Sequence, residues 1–113
     1  MLIVDDHEGF RDAARSMLEA EGFEVVGEAG DGEEALLEVE RLRPQVVLVD
    51  IQLPGLDGFA VAEQLAVSSA PPQVVLISSR DAAAYGPRVA KAAALGFLTK
   101  QELTGVALAD LLA

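Results

Sequence analysis

Val46-Val47-Leu48-Val49-Asp50 sets four consecutive apolar residues, mostly β-branched, directly before a carboxylate. An unbroken run of this kind reads as a strand buried on both faces, as in a parallel sheet. The Asp then stands where the strand leaves the core. Leu2-Ile3-Val4 before Asp5-Asp6 ends the same way, as does Val74-Val75-Leu76-Ile77 before Ser78, and Phe97-Leu98-Thr99 runs into Lys100. If these strands are parallel, their polar ends share one edge of the sheet, the edge at which open α/β sheets bind ligands.

Strand-like runs begin near residues 1, 24, 46, 73 and 96. Their spacing leaves room for a helix and two short loops between each pair. Phe10, Ala13, Ala14, Met17 and Leu18 form a helical stripe after the first strand, and Gly22 ends that helix. Glu24–Ala29 is the second strand, polar as an edge strand is. Asp31 followed by Glu34 reads as a capping box for a second helix running to about Leu42, stopped by Pro44. Asp57 caps a third helix that turns Phe59, Ala62, Leu65 and Ala66 inward. The fourth helix is expected across much of Ala82 to Ala94, with its stable part beginning near Pro87, because Gly86-Pro87 interrupts it. Thr104 caps a last helix with Val106, Ala107, Leu111 and Leu112 apolar. The expected architecture is α/β: one domain over residues 1–113 built on a doubly wound, five-stranded parallel sheet of order 2-1-3-4-5.

Composition narrows the function. The chain has 113 residues, 51% hydrophobic, and a mean hydropathy of +0.33, so it can bury one core. It contains no cysteine, which excludes disulfides and thiolate metal sites. No apolar run is long enough to span a bilayer, and the N-terminus meets two acids too soon for a secretory signal. These features favour a cytoplasmic protein. The formal net charge of −11 opposes direct contact with nucleic acid or an anionic membrane.

In the order 2-1-3-4-5, strands 1 and 3 are neighbours, and Asp5, Asp6 and Asp50 converge. Crowded carboxylates raise one another's pKa or require a cation. Mg²⁺ (or Mn²⁺) suits a few carboxylates plus water, and the main-chain carbonyl near Gln52 adds a ligand. Such a site has room for phosphate oxygens. Asp50 is then a candidate nucleophile, Lys100 a neutraliser of phosphoryl charge and Ser78 a hydroxyl donor. Taken singly, Asp50 reads as a turn cap and Ser78 as a loop hydroxyl; the set in register changes the reading. His7 reads as a solvated loop residue, Lys91 as a surface charge, Phe97 as core, and Glu33, Glu34, Glu38 and Glu40 as solvated helix charges.

Four segments carry a resemblance: Leu2-Ile3-Val4-Asp5-Asp6-His7, Val47 to Gly58, Val75-Leu76-Ile77-Ser78-Ser79 and Gly96-Phe97-Leu98-Thr99-Lys100. In this order they resemble the receiver domain of two-component response regulators, with its flavodoxin-like (βα)5 fold. The opening and closing segments look most like receivers whose output is a helix-turn-helix DNA-binding domain. The resemblance implies that Asp50 is the phosphoacceptor, that Asp5, Asp6 and the Gln52 carbonyl hold Mg²⁺, and that Lys100 is the active-site lysine. It implies Ser78 and Phe97 as the switch hydroxyl and switch aromatic. It implies a sensor histidine kinase as phosphodonor and an output read on the face of helix 4, strand 5 and helix 5, by an output domain or a homodimer partner. Phosphorylation is expected to bias Ser78 inward and Phe97 toward burial.

Two departures stand out. Gln101 follows Lys100 where many receivers carry a cis-proline, and Gly86-Pro87 interrupts the helix of the output face. Two other functions are compatible with the same edge. One is a phosphorylation-independent binding module. The other is a Mg²⁺-dependent phosphatase with an aspartyl-phosphate intermediate, which would need a general-acid Asp where Gln52 stands. The expectation is a phosphoacceptor, not a turnover enzyme.

Overall fold

Val46–Asp50 is the central strand of the molecule. The structure, a computed structural model, describes residues 1–113. Strands β1 (Leu2–Val4), β2 (Gly27–Ala29), β3 (Val46–Asp50), β4 (Gln73–Ser78) and β5 (Gly96–Thr99) form one sheet. Between and after them come helices α1 (Glu8–Ala20), α2 (Gly32–Leu42), α3 (Gly58–Ala66), α4 (Arg88–Lys91) and α5 (Gly105–Leu112). Every pairing is parallel and the order is β2-β1-β3-β4-β5, the expected doubly wound arrangement.

Alternation along the strands splits the core in two. Leu2, Val4, Val47 and Val49 pack with Val39, Phe59, Val61 and Leu65 from α2 and α3. Ile3, Leu48, Val75 and Ile77 pack with Leu18 and Leu108 from α1 and α5. Both faces of β3 are therefore covered, and Val47, Leu48 and Val49 lose all contact with solvent.

Three expected caps form. Asp31 Oδ1 accepts the Glu34 N–H at 2.7 Å, Asp57 Oδ1 accepts the Ala60 N–H at 2.9 Å, and Thr104 Oγ1 accepts the Ala107 N–H at 3.0 Å. Glu34 completes the box by accepting from Gly30, one residue before the cap. Asp31→Ala is expected to destabilise the fold by about 1 kcal/mol. In urea unfolding this lowers the midpoint and leaves the slope unchanged.

Several boundaries differ from the sequence reading. β2 begins at Gly27, not Glu24, because its ladder with β1 starts at Leu2↔Gly27 and β1 offers no partner earlier. The Val26 N–H still reaches the Met1 carbonyl at 2.9 Å. Ala13, Ala66 and Val106 face solvent, and Val61 takes the inward place expected of Ala66. The largest difference is helix 4. Ala82–Tyr85 is a 3-10 turn and α4 is a single turn, Arg88–Lys91. The helix does start directly after Pro87, as expected, but Ala92 is already extended, with ψ at 146°. Alanine-rich sequence does not rescue it. Gly86 adopts φ 60°, ψ −140°, which no helix contains, and Pro87 withholds an N–H. Each remaining piece is too short to repay helix nucleation.

Candidate functional site

Ladder register brings the polar ends of the strands together. Val4 pairs with Val49, Asp50 with Ile77, and Ser78 with Thr99, so Asp5, Asp50, Ser78 and Lys100 arrive at one edge. The Lys100 N–H donates to the Ser78 carbonyl at 2.8 Å and ties the last two ends directly.

Lys100 is the centre of this edge. Its Nζ lies 2.7 Å from Asp5 Oδ2 and 3.1 Å from Asp50 Oδ2. Asp5 is fully buried, and its Oδ2 has the Lys100 ammonium as its only partner, at ion-pair distance. Its other oxygen accepts the His7 N–H at 2.8 Å. Asp50 is 3% exposed, and its Oδ1 accepts the Gln52 N–H at 3.0 Å. The loop after β3 is thereby folded back onto the carboxylate. Phe10 of α1 lies beneath the lysine, 4.3 Å from Nζ to the ring centroid, a cation–π contact. Arg11 of the same helix donates to the Asp5 carbonyl at 2.6 Å and holds the turn after β1.

Asp6 is more exposed and adjoins this pair through His7. One carboxylate oxygen each from Asp5 and Asp6 and a ring nitrogen of His7 lie within 4.8 Å of one another. His7 is exposed as expected, yet its Nδ1 sits 3.3 Å from Asp5 and 3.1 Å from Asp6. The donor set fits a hard divalent cation. Two oxygen ligands are already close, and the buried Asp5 Oδ2 has only the Lys100 ammonium to balance its charge. Phe97 is half-buried in β5 and packs on the core under α2 and α3. Lys91 is a surface charge.

Electrostatics separate the two central groups. Burial raises the Asp50 carboxyl above its ordinary value; the Gln52 N–H and Lys100 pull the other way without cancelling it, and Asp5 adds to the rise. Burial works to lower Lys100, but its two carboxylate partners outweigh that and hold it above an ordinary lysine. A carboxyl raised on folding binds its proton more tightly in the folded chain, so its ionisation opposes folding above the raised pKa. That opposition disappears as pH falls through the raised pKa toward the ordinary one. Asp50→Asn, which still accepts from Gln52 and leaves Lys100 to Asp5, is expected to stabilise the metal-free fold by about 1 kcal/mol at neutral pH. The gain should shrink on acidification through that window. Urea unfolding in chelator across a pH series checks both the sign and the window.

Two neighbours of the edge carry no sequence signal. Tyr85 shares a hydrogen bond with the Ser78 hydroxyl, although it lies in an irregular segment where no periodicity operates. Phe10 reads as an ordinary member of the α1 stripe, and only its contact with Lys100 gives it a second role.

Comparison with known proteins gives the family and the fold. The family model described as the response regulator receiver domain matches residues 1–110. The response regulator GacA of Pseudomonas protegens is 38% identical over 101 residues, covering 88% of this chain and 47% of GacA. The chain spans about half the length of curated relatives such as this one. The signal receiver domain of NarL from Mycobacterium tuberculosis superposes with a TM-score of 0.86 at 34% identity, covering 99% of this chain and 94% of that one. A chain of the CheX–CheY–BeF3–Mg complex from Borrelia burgdorferi gives a TM-score of 0.80 at 25% identity, covering 98% of this chain and 84% of that one.

Proposed function

The chain belongs to the response regulator receiver domain family, and from that premise we propose that it accepts a phosphoryl group on Asp50 from the phosphohistidine of a sensor kinase. The observation that carries this reading is the Lys100 ammonium held between Asp5 and Asp50, at 2.7 and 3.1 Å.

A carboxylate oxygen of Asp50 attacks the donor phosphorus as the phosphorus–nitrogen bond to the histidine breaks, and the imidazole nitrogen leaves as a neutral base after protonation. Phosphoryl transfer depends on positioning and charge neutralisation more than on covalent assistance. The Gln52 N–H fixes one Asp50 oxygen and so orients the other. Lys100, already between the two carboxylates, swings its ammonium to an incoming phosphoryl oxygen. Ser78 supplies a hydroxyl from the end of β4. Asp5, Asp6, Asp50 and the Gln52 main-chain carbonyl would hold Mg²⁺ or Mn²⁺, which would supply further neutralisation of phosphoryl charge. Gln52 cannot act as a carboxylic general acid, so the acyl phosphate accumulates instead of turning over as in a phosphatase.

The output surface is the face of α4, β5 and α5, with Ser78 and Phe97 as its switch, and it engages an output domain or a second receiver. Leu95 and Val106, in segments of that face, are large apolar residues 45% and 72% exposed. No helix is long and apolar enough to cross a membrane. The net charge of −11 assigns any DNA contact to a different segment or partner.

Incubation with acetyl phosphate and Mg²⁺, followed by intact-mass measurement, tests the proposal. One added phosphoryl group is expected, located on Asp50 by fragmentation and absent in Asp50→Asn. Modification elsewhere, or none with a folded chain, overturns it.

A further inference from the structure

Ser78 is fully buried, and its hydroxyl is already engaged. Its Oγ accepts the Arg80 N–H at 3.0 Å and shares a hydrogen bond with the Tyr85 hydroxyl. A serine hydroxyl has one hydrogen to give. Either hydroxyl can be the donor of the Ser78–Tyr85 bond. Where Ser78 gives its one hydrogen to Tyr85, a phosphoryl oxygen that recruits the serine competes with the tyrosine for it.

Tyr85 does not hang free. It ends the 3-10 turn, and its ring meets Phe59 of α3 edge-on, with centroids 5.8 Å apart and planes at 73°. The Arg88 guanidinium covers the same Phe59 ring at 4.2 Å and lies 3.3 Å from Asp57, the cap of α3. A continuous line of contacts thus runs from Ser78 through Tyr85 and Phe59 to Arg88 and α4. The expected switch aromatic, Phe97, has no hydroxyl to offer Ser78. The chain contains one tyrosine, and that tyrosine supplies it.

We infer that Tyr85 is a positioning residue for Ser78: its hydroxyl holds the serine toward the 3-10 turn, and a phosphoryl group on Asp50 competes with Tyr85 for it. This rests on the phosphoacceptor reading above. When Ser78 turns to the phosphoryl oxygen, the Tyr85 hydroxyl loses its partner inside a half-buried site, which disfavours its present position. The segment can respond there because Gly86, at φ 60°, is a joint between the 3-10 turn and α4. The short helix 4 is then moved by Tyr85 and Arg88, not by a long helix face.

Beryllofluoride with Mg²⁺, which mimics the phosphoryl group, tests this. Tyr85→Phe keeps the ring against Phe59 and removes only the competing hydroxyl. It is expected to bind beryllofluoride about fivefold more tightly than wild type, the equivalent of one hydrogen bond, with unfolding midpoint little changed. A merely structural Tyr85 predicts equal or weaker binding, and that result overturns the inference. A second readout needs no variant. With one tyrosine and no tryptophan, intrinsic tyrosine fluorescence reports on this ring alone. It is expected to change on beryllofluoride binding to wild type; binding without any change also overturns the inference. Failure of wild type to bind beryllofluoride at all would remove the phosphoacceptor reading, and this inference with it.

Discussion

Lys100→Met is expected to destabilise the metal-free fold by about 3 kcal/mol, the effect of leaving buried charge without its partner. Asp5 is fully buried and Asp50 nearly so, and Lys100 is the single cation between them. Methionine preserves most of the side-chain volume and its contact with Phe10, so the loss reports charge and not packing. Removing the ammonium leaves two adjacent carboxylates to repel one another or to take up a proton. The destabilisation should therefore diminish as pH falls into the carboxylate range, and it should be smaller in the double variant Asp50→Asn/Lys100→Met. Urea unfolding in chelator gives all four corners of that cycle. Additive effects of the two substitutions would show that Lys100 does not couple to Asp50. The same variant should lose most acceptance of phosphoryl from acetyl phosphate, since Lys100 is the one side-chain cation paired with Asp50.

Gly58→Ala is the second large effect. A Cβ at this position would stand 2.5 Å from the Asp50 carbonyl oxygen and 2.7 Å from the Ile51 Cα. Both are backbone atoms at the end of β3, so no side chain can turn aside. The first turn of α3 docks there directly, and the Gly58 N–H donates to the Ile51 carbonyl at 2.9 Å. Either α3 lifts from the sheet, uncovering Phe59, Val61 and Leu65, or the end of β3 shifts. The expected loss is about 2 to 3 kcal/mol, as for overpacking a filled core. Because Asp50 itself is the residue displaced, phosphorylation should fall by about a hundredfold even in folded protein, the scale of a 1 Å misplacement of a reacting group. Gly9→Ala is the control: nothing lies within 4 Å of that Cβ, and a helical alanine should be neutral or stabilising. Equal behaviour of the two variants would show that the close approach at Gly58 does not position Asp50.

The four polar strand ends, the strand order and the three helix caps were all legible without coordinates. The strand ends and the caps rest on local patterns, an apolar run that stops at a polar group or a capping side chain a fixed few residues from its partner, whereas the strand order follows from the common doubly wound arrangement. Gln52 shows where that legibility ends. Its place after Asp50 is sequence, but its N–H on the Asp50 carboxylate is a property of the folded loop. Helix 4 shows the limit from the other side. Gly86-Pro87 marked the interruption and Pro87 the start of α4, but nothing local indicated that the chain would leave the helix again by Ala92.

By itself the sequence determined which residues reach the carboxyl edge of the sheet, because side-chain period and burial in a parallel strand depend on neighbours only a few positions away. Tertiary structure decided what those residues do to one another: one lysine shared by two acids, and a serine claimed by Tyr85 through a segment with no regular period. Contacts of that kind are set by how loops close in three dimensions, over separations at which residue spacing no longer constrains direction or distance.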